Sequence, residues 1–309
     1  MASFPPPLSI TILGSGAWGS TLYELAVAQG HRVSLWGRRR GDPLGAAVAG
    51  ADLIVSAVSM VGVPSLVNQL QSMDIPPQSI VVTTTKGLDA VSLMTPAQIW
   101  QQAFPKQAIV VLSGPNLSKE IQQGLPTATV VASSVSAAAV TVQQAFSSER
   151  FRVYTSQDPL GVELGGTLKN VIAIAVGVCD GLHLGANAKA ALTTRGLAEI
   201  IRIGTCLGAK PETFSGLSGV GDLLATCHSP LSRNYQVGYG LGQGKSLEQI
   251  LADLEGTAEG INTTRVLVRL AEQFGIPVPI SQQVYAVLQG DVTPQSALET
   301  LMERAVKPE

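Results

Sequence analysis

Cysteine, aromatic side chains and charge are all scarce in this chain of 309 residues. Its three cysteines are an odd number without close spacing, which argues against a disulfide framework or a zinc site and fits a reducing cytoplasm. Charged residues make up 14% and the net charge is −2, so the composition favours neither nucleic-acid nor membrane binding. The start of the chain lacks the basic and apolar regions of a signal peptide.

Long apolar runs are also absent, although hydrophobic residues make up 45% of the chain. The longest strongly apolar run, residues 171–179, is far shorter than the ~20 residues that span a bilayer, and we expect it to be a buried helix. The length and composition predict two globular domains, each with its own core.

The first half of the chain alternates short apolar runs with helical patterns, which predicts a mostly parallel sheet covered on both faces. Strands are predicted at 8–13, 32–36, 53–58, 79–84, 108–112, 127–132 and 152–154, and helices at 17–29, 63–73, 96–103 and 136–146. Later in the chain only helices are predicted, at 164–180, 188–207, 235–240, 263–274, 281–289 and 293–305. We therefore expect an α/β domain over residues 1–157 and an all-α domain over residues 158–309.

A glycine motif suited to a dinucleotide follows the first predicted strand. In the segment GSGAWG, residues 14–19, Gly14 permits a tight turn, Gly16 lets the backbone approach a pyrophosphate, and Gly19 allows close packing of helix and strand. The phosphates would lie at a helix N-terminus, where free amides favour anions. An ordinary glycine turn is the alternative.

The second strand ends without the acidic residue that usually binds the adenosine 2′-hydroxyl. Gly37 takes that place and is followed by Arg38, Arg39 and Arg40, whose guanidinium groups can pair with a 2′-phosphate. NADPH is therefore favoured over NADH, unless the arginines form only a solvated loop. Asp42 could serve the ribose only if this loop folds back.

Polar residues follow two later strands of the predicted sheet. Lys86 comes after the strand at 79–84, and Gly114 and Asn116 come after the strand at 108–112. Ligands bind beyond the carboxyl ends of parallel strands, so these positions suit contacts with a cofactor or substrate. For Lys86, a place in a surface turn is the alternative.

Lys169 and Asn170 lie inside an apolar helical pattern, where a lysine rarely serves packing. Burial and a second cation such as Lys86 would lower the pKa of Lys169 toward the range that suits proton transfer. The alternative is a buried stem whose ammonium group reaches water.

Two further polar segments belong to the helical half. Asp222 follows a glycine-rich stretch and precedes Thr226, and it either caps a helix or orients a lysine. Ser232 is a predicted N-cap, and Arg233 beside it is electrostatically unusual at a helix start. A bound phosphate would receive the amides, the guanidinium group and the Asn234 carboxamide. A solvent-facing arginine is the alternative.

Together these segments resemble the bacterial-type NAD(P)-dependent glycerol-3-phosphate dehydrogenases from about residue 9 to residue 305. The motifs are GSGAWG at 14–19, TKGL at 85–88, SGPN at 113–116, GVELGGTLKN at 161–170, TTRG at 193–196, GVGDL at 219–223, SRN at 232–234 and TAEG at 257–260. The resemblance implies a Rossmann-type domain that binds NADPH or NADH and a helical domain that binds substrate. It implies the reversible reduction of dihydroxyacetone phosphate to sn-glycerol 3-phosphate for phospholipid synthesis in the cytoplasm, and it is compatible with a homodimer.

The resemblance also implies roles for individual residues, with Lys169 as the catalytic acid and base. Substrate contacts are expected from Lys86, Gly114, Asn116, Asn170, Asp222, Thr226, Ser232, Arg233 and Asn234. Cofactor contacts are expected, from the motifs and the resemblance, at Gly14, Ser15, Gly16, Ala17, Trp18, Gly19, Arg38, Arg39, Lys86, Ser118, Arg233 and Glu259. No metal is expected.

One departure from the family lies between the second and third strands, where the segment is shorter than usual. Asp42 and Pro43 are predicted to be the N-cap and first residue of a short helix that runs to residue 49. The shortening affects the adenine side of the cofactor site. Trp18 is an aromatic variant at a position that tolerates several residues, and Asn116 replaces a more usual hydroxyl residue.

Two other functions are alternatives to a dehydrogenase of this family. A related dehydrogenase for a β-hydroxyacid or ketopantoate would share the glycine motif without needing the SRN segment at 232–234. A non-catalytic redox sensor would only bind NADPH, and the complete set of polar residues argues against it.

Overall fold

The structure, a computed structural model, describes residues 7–38, 41–73 and 75–305. Its strands are β1 (Ser9–Leu13), β2 (Arg32–Trp36), β3 (Leu53–Ser56), β4 (Ile80–Thr83), β5 (Ile109–Ser113), β6 (Thr127–Ala132) and β7 (Phe151–Ser156). They form one sheet in the order β2-β1-β3-β4-β5-β6-β7, in which β5 and β6 are antiparallel and the other neighbours are parallel. The predicted mostly parallel sheet is confirmed.

Helices cover both faces of the sheet. They are α1 (Ala17–Ala28), α2 (Leu44–Val48), α3 (Val63–Gln71), α4 (Pro96–Ala103), α5 (Ser118–Gln122) and α6 (Ser136–Phe146). Because side chains alternate along a strand, Leu53 and Val55 of β3 pack toward α1 and α6, whereas Ile54 packs toward α3 and α4. All of β3 is buried, as its continuous apolar sequence predicts.

The order of the strands reverses at β1, which has β2 on one side and β3 on the other. Such a switch point leaves a crevice beyond the carboxyl ends of the strands, where open α/β sheets bind their ligands. Helix α1 begins at this crevice, directly after β1. The topology therefore places the glycine motif where a nucleotide would bind.

The rest of the described chain is helical. Its helices are α7 (Pro159–Gly181), α8 (Gly185–Cys206), α9 (Asp222–His228), α10 (Arg233–Gly242), α11 (Leu247–Asp253), α12 (Glu259–Phe274), α13 (Pro279–Gln289) and α14 (Pro294–Met302). Among the described helices, α7 alone has the length and composition to cross a membrane, but 94% of its apolar window is buried inside the protein. It is the central core helix, as predicted for residues 171–179.

Helix α7 begins earlier than the apolar pattern indicated, because Asp158 caps it. The Asp158 carboxylate accepts a hydrogen bond from the amide of Gly161 at 3.0 Å, and Pro159 occupies the first helical position. The same carboxylate accepts from the Thr213 hydroxyl at 2.6 Å. Asp158 therefore ties the start of α7 to the segment that precedes α9.

One predicted helix cap is wrong, and for Asp222 one of its two predicted roles is excluded. Helix α2 begins at Leu44 with Pro43 as its N-cap, and no side chain caps it. The carbonyl oxygen of Asp42 instead accepts a hydrogen bond from Nε1 of Trp36 at 2.8 Å, so this residue is drawn toward the end of β2. Asp222 is the first residue of α9 and does not cap it, because its carboxylate is engaged by two lysines.

Candidate active site

The glycine motif forms a tight turn between β1 and α1. Gly14 has a φ of +124°, and a Cβ there would lie 2.6 Å from the carbonyl oxygen of Ala57, at the end of β3. A Cβ on Gly19 would lie 1.8 Å from the carbonyl oxygen of Gly14, so helix and strand approach closely. A Cβ on Gly16 would meet nothing within 4 Å, so the surface above it is open to a ligand.

The first turn of α1 offers free amides to that open surface. Gly16 is the N-cap and provides no side chain, and the first turn holds no acidic residue. Ser15 and Ala17 are exposed, while Trp18 is partly buried against the sheet core. Unpaired amides and the positive end of the helix dipole suit a pyrophosphate, so these residues fit a dinucleotide.

The remaining predicted cofactor residues surround the same crevice. Arg38 is exposed just beyond β2, whereas Arg39 and Arg40 lie outside the described residues. Ser118 starts α5, which packs against α1. Glu259 starts α12, and its carboxylate accepts a hydrogen bond from the amide of Met60 at 3.2 Å. Burial raises the pKa of Glu259, while the Met60 amide and the Arg233 charge oppose this rise.

Two lysines from different parts of the chain share one buried carboxylate. Asp222 accepts from Nζ of Lys86 through one oxygen at 2.6 Å and from Nζ of Lys169 through the other at 2.6 Å. Lys169 also donates to the Thr226 hydroxyl. The Asp222 and Lys169 side chains are 2% and 7% exposed and so are shielded from water, whereas the Lys86 side chain is 24% exposed. The structure thus brings these four predicted residues together.

The electrostatic balance of this cluster favours proton transfer by Lys169. Burial lowers the pKa of Lys169 to about 8; the Asp222 carboxylate opposes this shift and the Lys86 charge adds to it. An ammonium group with a pKa near neutrality is a suitable acid and base. The lowered pKa of Lys169 matches the prediction. The alternatives, a surface turn for Lys86 and an ammonium group in water for Lys169, are wrong.

Unsatisfied polar atoms lie beside this cluster. Lys86 donates from Nζ to the carbonyl oxygen of Gly114 at 3.1 Å. The Ser113 hydroxyl and Oδ1 of Asn116 are buried without a hydrogen-bond partner among the described residues. A Cβ on Gly166 would lie 2.1 Å from the Ser113 hydroxyl and 3.4 Å from Cε of Lys86. The carboxyl end of β5 therefore offers unused polar groups next to the lysines.

The predicted phosphate-binding segment is linked to α7 through α12. Ser232 caps α10 as predicted, accepting from the amide of Tyr235 at 3.2 Å. Oδ1 of Asn234 accepts from the amide of Gly260 at 2.9 Å, and a Cβ on that glycine would lie 2.8 Å from the carbonyl oxygen of Asn170. The segment at 232–234 therefore lies close to the lysine-bearing part of α7.

Arg233 is exposed at the first position of α10, and none of the ion pairs among the described residues includes it. Gly256 has a φ of +91°, which favours glycine, and a Cβ there would lie 2.4 Å from Nη1 at the flexible end of the Arg233 side chain. The Asn170 side chain forms no hydrogen bond with Lys169 among the described residues. Asp222 and Thr226 do so instead.

Sequence reasoning missed two supporting residues. Thr129 of β6 accepts from Nδ2 of Asn116 at 2.9 Å and so holds that carboxamide in place. Glu163 of α7 accepts from the amide of Ala97 at 2.8 Å, and burial raises its pKa to about 7. The signal for Glu163 was present, because a carboxylate in an apolar helix is as unusual as Lys169. Thr129 gave no signal, since threonine is common in strands.

Family comparisons agree with this geometry. Residues 41–139 match the profile of the NAD-dependent glycerol-3-phosphate dehydrogenase N-terminus, and residues 158–299 match that of its C-terminus. The chain belongs to this family. A glycerol-3-phosphate dehydrogenase (NAD(P)+) of Nostoc sp. is 65% identical over 301 residues, which are 97% of this chain and 98% of the relative.

Solved structures of glycerol-3-phosphate dehydrogenases share the fold. The enzyme of Coxiella burnetii has a TM-score of 0.92 and 32% identity, covering 97% of this chain and 100% of that one. A ketopantoate reductase of Ralstonia eutropha has a TM-score of 0.59 and 14% identity, covering 94% of this chain and 100% of that one, so only its fold is shared. The family resemblance inferred from the motifs is confirmed.

Proposed function

We propose that this protein catalyses the reversible reduction of dihydroxyacetone phosphate to sn-glycerol 3-phosphate with NADPH or NADH, and so supplies phospholipid synthesis. The observation that carries the proposal is the buried cluster in which Asp222 holds Lys86 and Lys169. It lies at the same edge of the sheet as the open surface of the glycine turn. A proton donor and a dinucleotide site therefore face one crevice.

Lys169 is the acid and base in this proposal. Bound NAD(P)H supplies the hydride that reduces the C2 carbonyl of the substrate. As negative charge develops on the carbonyl oxygen, the Lys169 ammonium stabilises it and gives up a proton. Asp222 and Thr226 hold that ammonium in place through hydrogen bonds to Nζ. Lys86 adds positive charge near the same oxygen and favours proton release from Lys169.

The substrate phosphate is assigned to the start of α10. Helix amides, the exposed Arg233 guanidinium and the Asn234 carboxamide are donors suited to a dianion. Asn234 is held from the other side by the Gly260 amide. The phosphate and the reacting carbonyl would then be bound by two neighbouring groups of residues, which fixes the orientation of a three-carbon substrate. Gly114, Asn116, Asn170 and Ser232 complete the proposed substrate contacts.

The cofactor is assigned to the glycine turn, the first turn of α1, Ser118 and Glu259, with NADPH preferred because of the arginines after β2. Arg38→Ala tests that preference. The variant should raise the KM for NADPH more than the KM for NADH, because only NADPH carries the 2′-phosphate. An equal effect on both cofactors would contradict the preference.

Three coarser features belong to the same proposal. We assign residues 1–157 to a nucleotide-binding domain and residues 158–309 to a substrate-binding domain. We place the enzyme in the cytoplasm, which its three free cysteines suit. A homodimer is compatible with the family, and sedimentation of the purified chain tests it.

The deciding experiment is a turnover assay with dihydroxyacetone phosphate, run separately with NADPH and NADH. Lys169→Ala should abolish turnover while binding of NADPH, followed by its fluorescence, is retained. Lys119→Ala, at an exposed lysine of α5, is the matched control and should keep full activity. Full activity in Lys169→Ala, or no turnover of this substrate by the unmodified chain, would overturn the proposal.

A further inference from the structure

The helical half contains a second cavity that the proposed reaction does not use. It has a volume of about 560 Å³ and lies between α7, α8, α13 and α14. The residues that line it include neither of the two active-site lysines, nor Asp222 or Arg233. Binding sites for small molecules typically have ~300–1,000 Å³, so the cavity is large enough for a ligand.

Most of the cavity wall is aliphatic. Val284 and Val287 of α13 are 6% and 8% exposed, and Leu192 of α8 and Leu298 of α14 are partly buried. Met302, which also lines the cavity, is 77% exposed. The apolar lining therefore reaches the open edge of the cavity, and an apolar ligand in contact with Met302 would remove this side chain from water.

Positive charge dominates the polar part of the lining. Arg195, Arg202 and Arg304 line the cavity together with one acidic residue, Glu199. The Glu199 carboxylate already has its hydrogen-bond partners. It accepts from the amide of Ile280 at 2.7 Å and from the amide and the hydroxyl of Ser281. The arginines therefore leave an excess of positive charge that can pair with an anionic group.

One further lining residue has an unmet hydrogen-bonding group. Oε1 of Gln283 is buried and has no partner among the described residues. A buried polar atom without a partner is costly, and a ligand hydroxyl could satisfy it. Arg202 is fixed beside the cavity by a hydrogen bond from its Nη1 atom to the Pro277 carbonyl oxygen at 2.7 Å. The arrangement combines apolar walls with several donors and one free acceptor.

We propose that this cavity binds an amphiphile with a single acyl chain and an anionic head group. The chain lies against the aliphatic wall of α13 and α14, and the head group pairs with Arg195 and Arg304. A fatty acid carboxylate and a monoacylglycerol phosphate share this chemistry. The phosphate form also carries a hydroxyl group that can donate to Gln283.

Calorimetric titration of the full chain tests the proposal, with dodecanoate and 1-dodecanoylglycerol 3-phosphate as probes below their micelle concentrations. Both should bind with one site per chain, and dodecyltrimethylammonium, with the same chain but a cationic head, should not. Gln283→Leu should weaken only the phosphate probe if its hydroxyl is bound there. Equal weakening of both probes would contradict a hydrogen bond between the ligand hydroxyl and Gln283, and the head group would then be assigned to the arginines alone.

Paired variants locate the site. Ala191 is exposed and lines the cavity, so Ala191→Trp should fill it and lower the affinity at least tenfold, whereas Ala190→Trp, at an exposed neighbour outside the lining, should not. Arg195→Glu should weaken binding about tenfold, and Arg265→Glu, at an exposed arginine of α12, should leave it unchanged. Turnover measured in parallel shows that each variant is folded.

Two results would overturn the proposal. One is binding of the cationic amphiphile with the same affinity as dodecanoate, because the arginines would then contribute nothing. The other is the absence of binding by both anionic probes. A dimer that Ala191→Trp then converts to a monomer in sedimentation would identify this surface as a contact between two copies of the chain.

Discussion

Lys169 is buried, which disfavours its positive charge, and the lowered pKa that results determines how activity should depend on pH. Burial lowers its pKa to about 8, a net value to which the Asp222 carboxylate contributes in the opposite direction and the Lys86 charge in the same direction. If Lys169 supplies the proton, kcat/KM for reduction should fall as the pH rises through about 8. The pH profile of kcat/KM with saturating NADPH measures the position of this decline.

Lys86→Met should move that decline to higher pH. Removing a neighbouring cation favours the charged form of Lys169, so its pKa rises. The rate will also fall, because Lys86 is a proposed substrate contact, but the position of the decline is independent of the absolute rate. Lys119→Met, at an exposed lysine, should leave the profile unchanged. A decline that stays at the original pH in Lys86→Met would exclude the coupling of the two lysines.

Asp222→Asn should destabilise the protein at neutral pH. The substitution leaves two lysines without their shared counter-ion, and removing one partner of a buried pair typically costs about 3–5 kcal/mol. Lys169 has a lower pKa in the folded than in the unfolded chain, so between these values the unfolded chain binds more protons and stability rises with pH. The deficit of the variant should therefore shrink between pH 7 and alkaline pH, as Lys169 becomes neutral.

Urea unfolding at pH 7 and at alkaline pH measures the loss of unfolding free energy in Asp222→Asn. Thr226→Val is the milder comparison, because it removes a single hydrogen bond to Lys169 and should cost about 1 kcal/mol. A deficit in Asp222→Asn that is independent of pH would show that packing, rather than charge, is what Asp222 provides.

At the scale of helices, the closest contact in the helical half joins α7 and α10. A Cβ on Gly238 would lie 1.9 Å from the carbonyl oxygen of Ile174, and one on Gly177 would lie 2.2 Å from that of Tyr235. Gly181 and Gly242 repeat the contact one turn later. Only glycines allow the two backbones to approach this closely, and the approach holds the start of α10 against α7.

Gly238→Ala should force α7 and α10 apart. The added methyl group meets backbone, which cannot rotate away, so we expect a cost of about 3 kcal/mol and a higher KM for dihydroxyacetone phosphate. Gly45→Ala on α2 is the control, because its Cβ would lie 3.7 Å from the Met73 sulfur and should not destabilise the protein. Thermal unfolding and steady-state kinetics measure both effects, and an unchanged KM would separate this contact from substrate binding.

The sequence predicts elements whose signals are local. Each strand of the sheet was recognised because its apolar run is bounded by turn residues, and α10 because Ser232 is a favourable N-cap. The predicted start of α2 is one residue too early, and the Asp42 carbonyl is bound by the Trp36 indole six residues before it. Short helices such as α5 and α11 are not predicted, because a helix of one or two turns is too short to show the helical repeat of apolar residues.

The site was predictable only in part for the same reason. Lys169 stands out in an apolar helix, but that both lysines converge on Asp222 depends on three distant segments meeting in space. Neither the support of Asn116 by Thr129 nor the cavity beside α14 has a sequence signal, because both arise from the packing of elements. Spacing reveals which residues are unusual, and packing determines which of them touch.

At the scale of the whole molecule, the helical half holds the loops at the carboxyl edge of the sheet. Along α12, Glu259 accepts from the Met60 amide at 3.2 Å, and Nδ2 of Asn262 donates to the Leu88 carbonyl oxygen at 2.9 Å. On α7, the Thr167 hydroxyl accepts from the Gly87 amide at 3.1 Å. Two of these bonds hold Gly87 and Leu88, which directly follow Lys86, so the position of its ammonium depends on contacts between the two halves.

Asn262→Leu tests this dependence without touching the proposed substrate contacts. The Leu88 carbonyl loses its donor, and the loss of one hydrogen bond of about 1–1.5 kcal/mol at this loop should lower kcat/KM roughly tenfold. Arg269→Ala is the matched control, because it removes an exposed bond to the Ala90 carbonyl oxygen, farther along the same loop, and should change kcat/KM less than twofold. If Asn262→Leu lowers the melting temperature but leaves kcat/KM unchanged, α12 stabilises the loop without positioning Lys86.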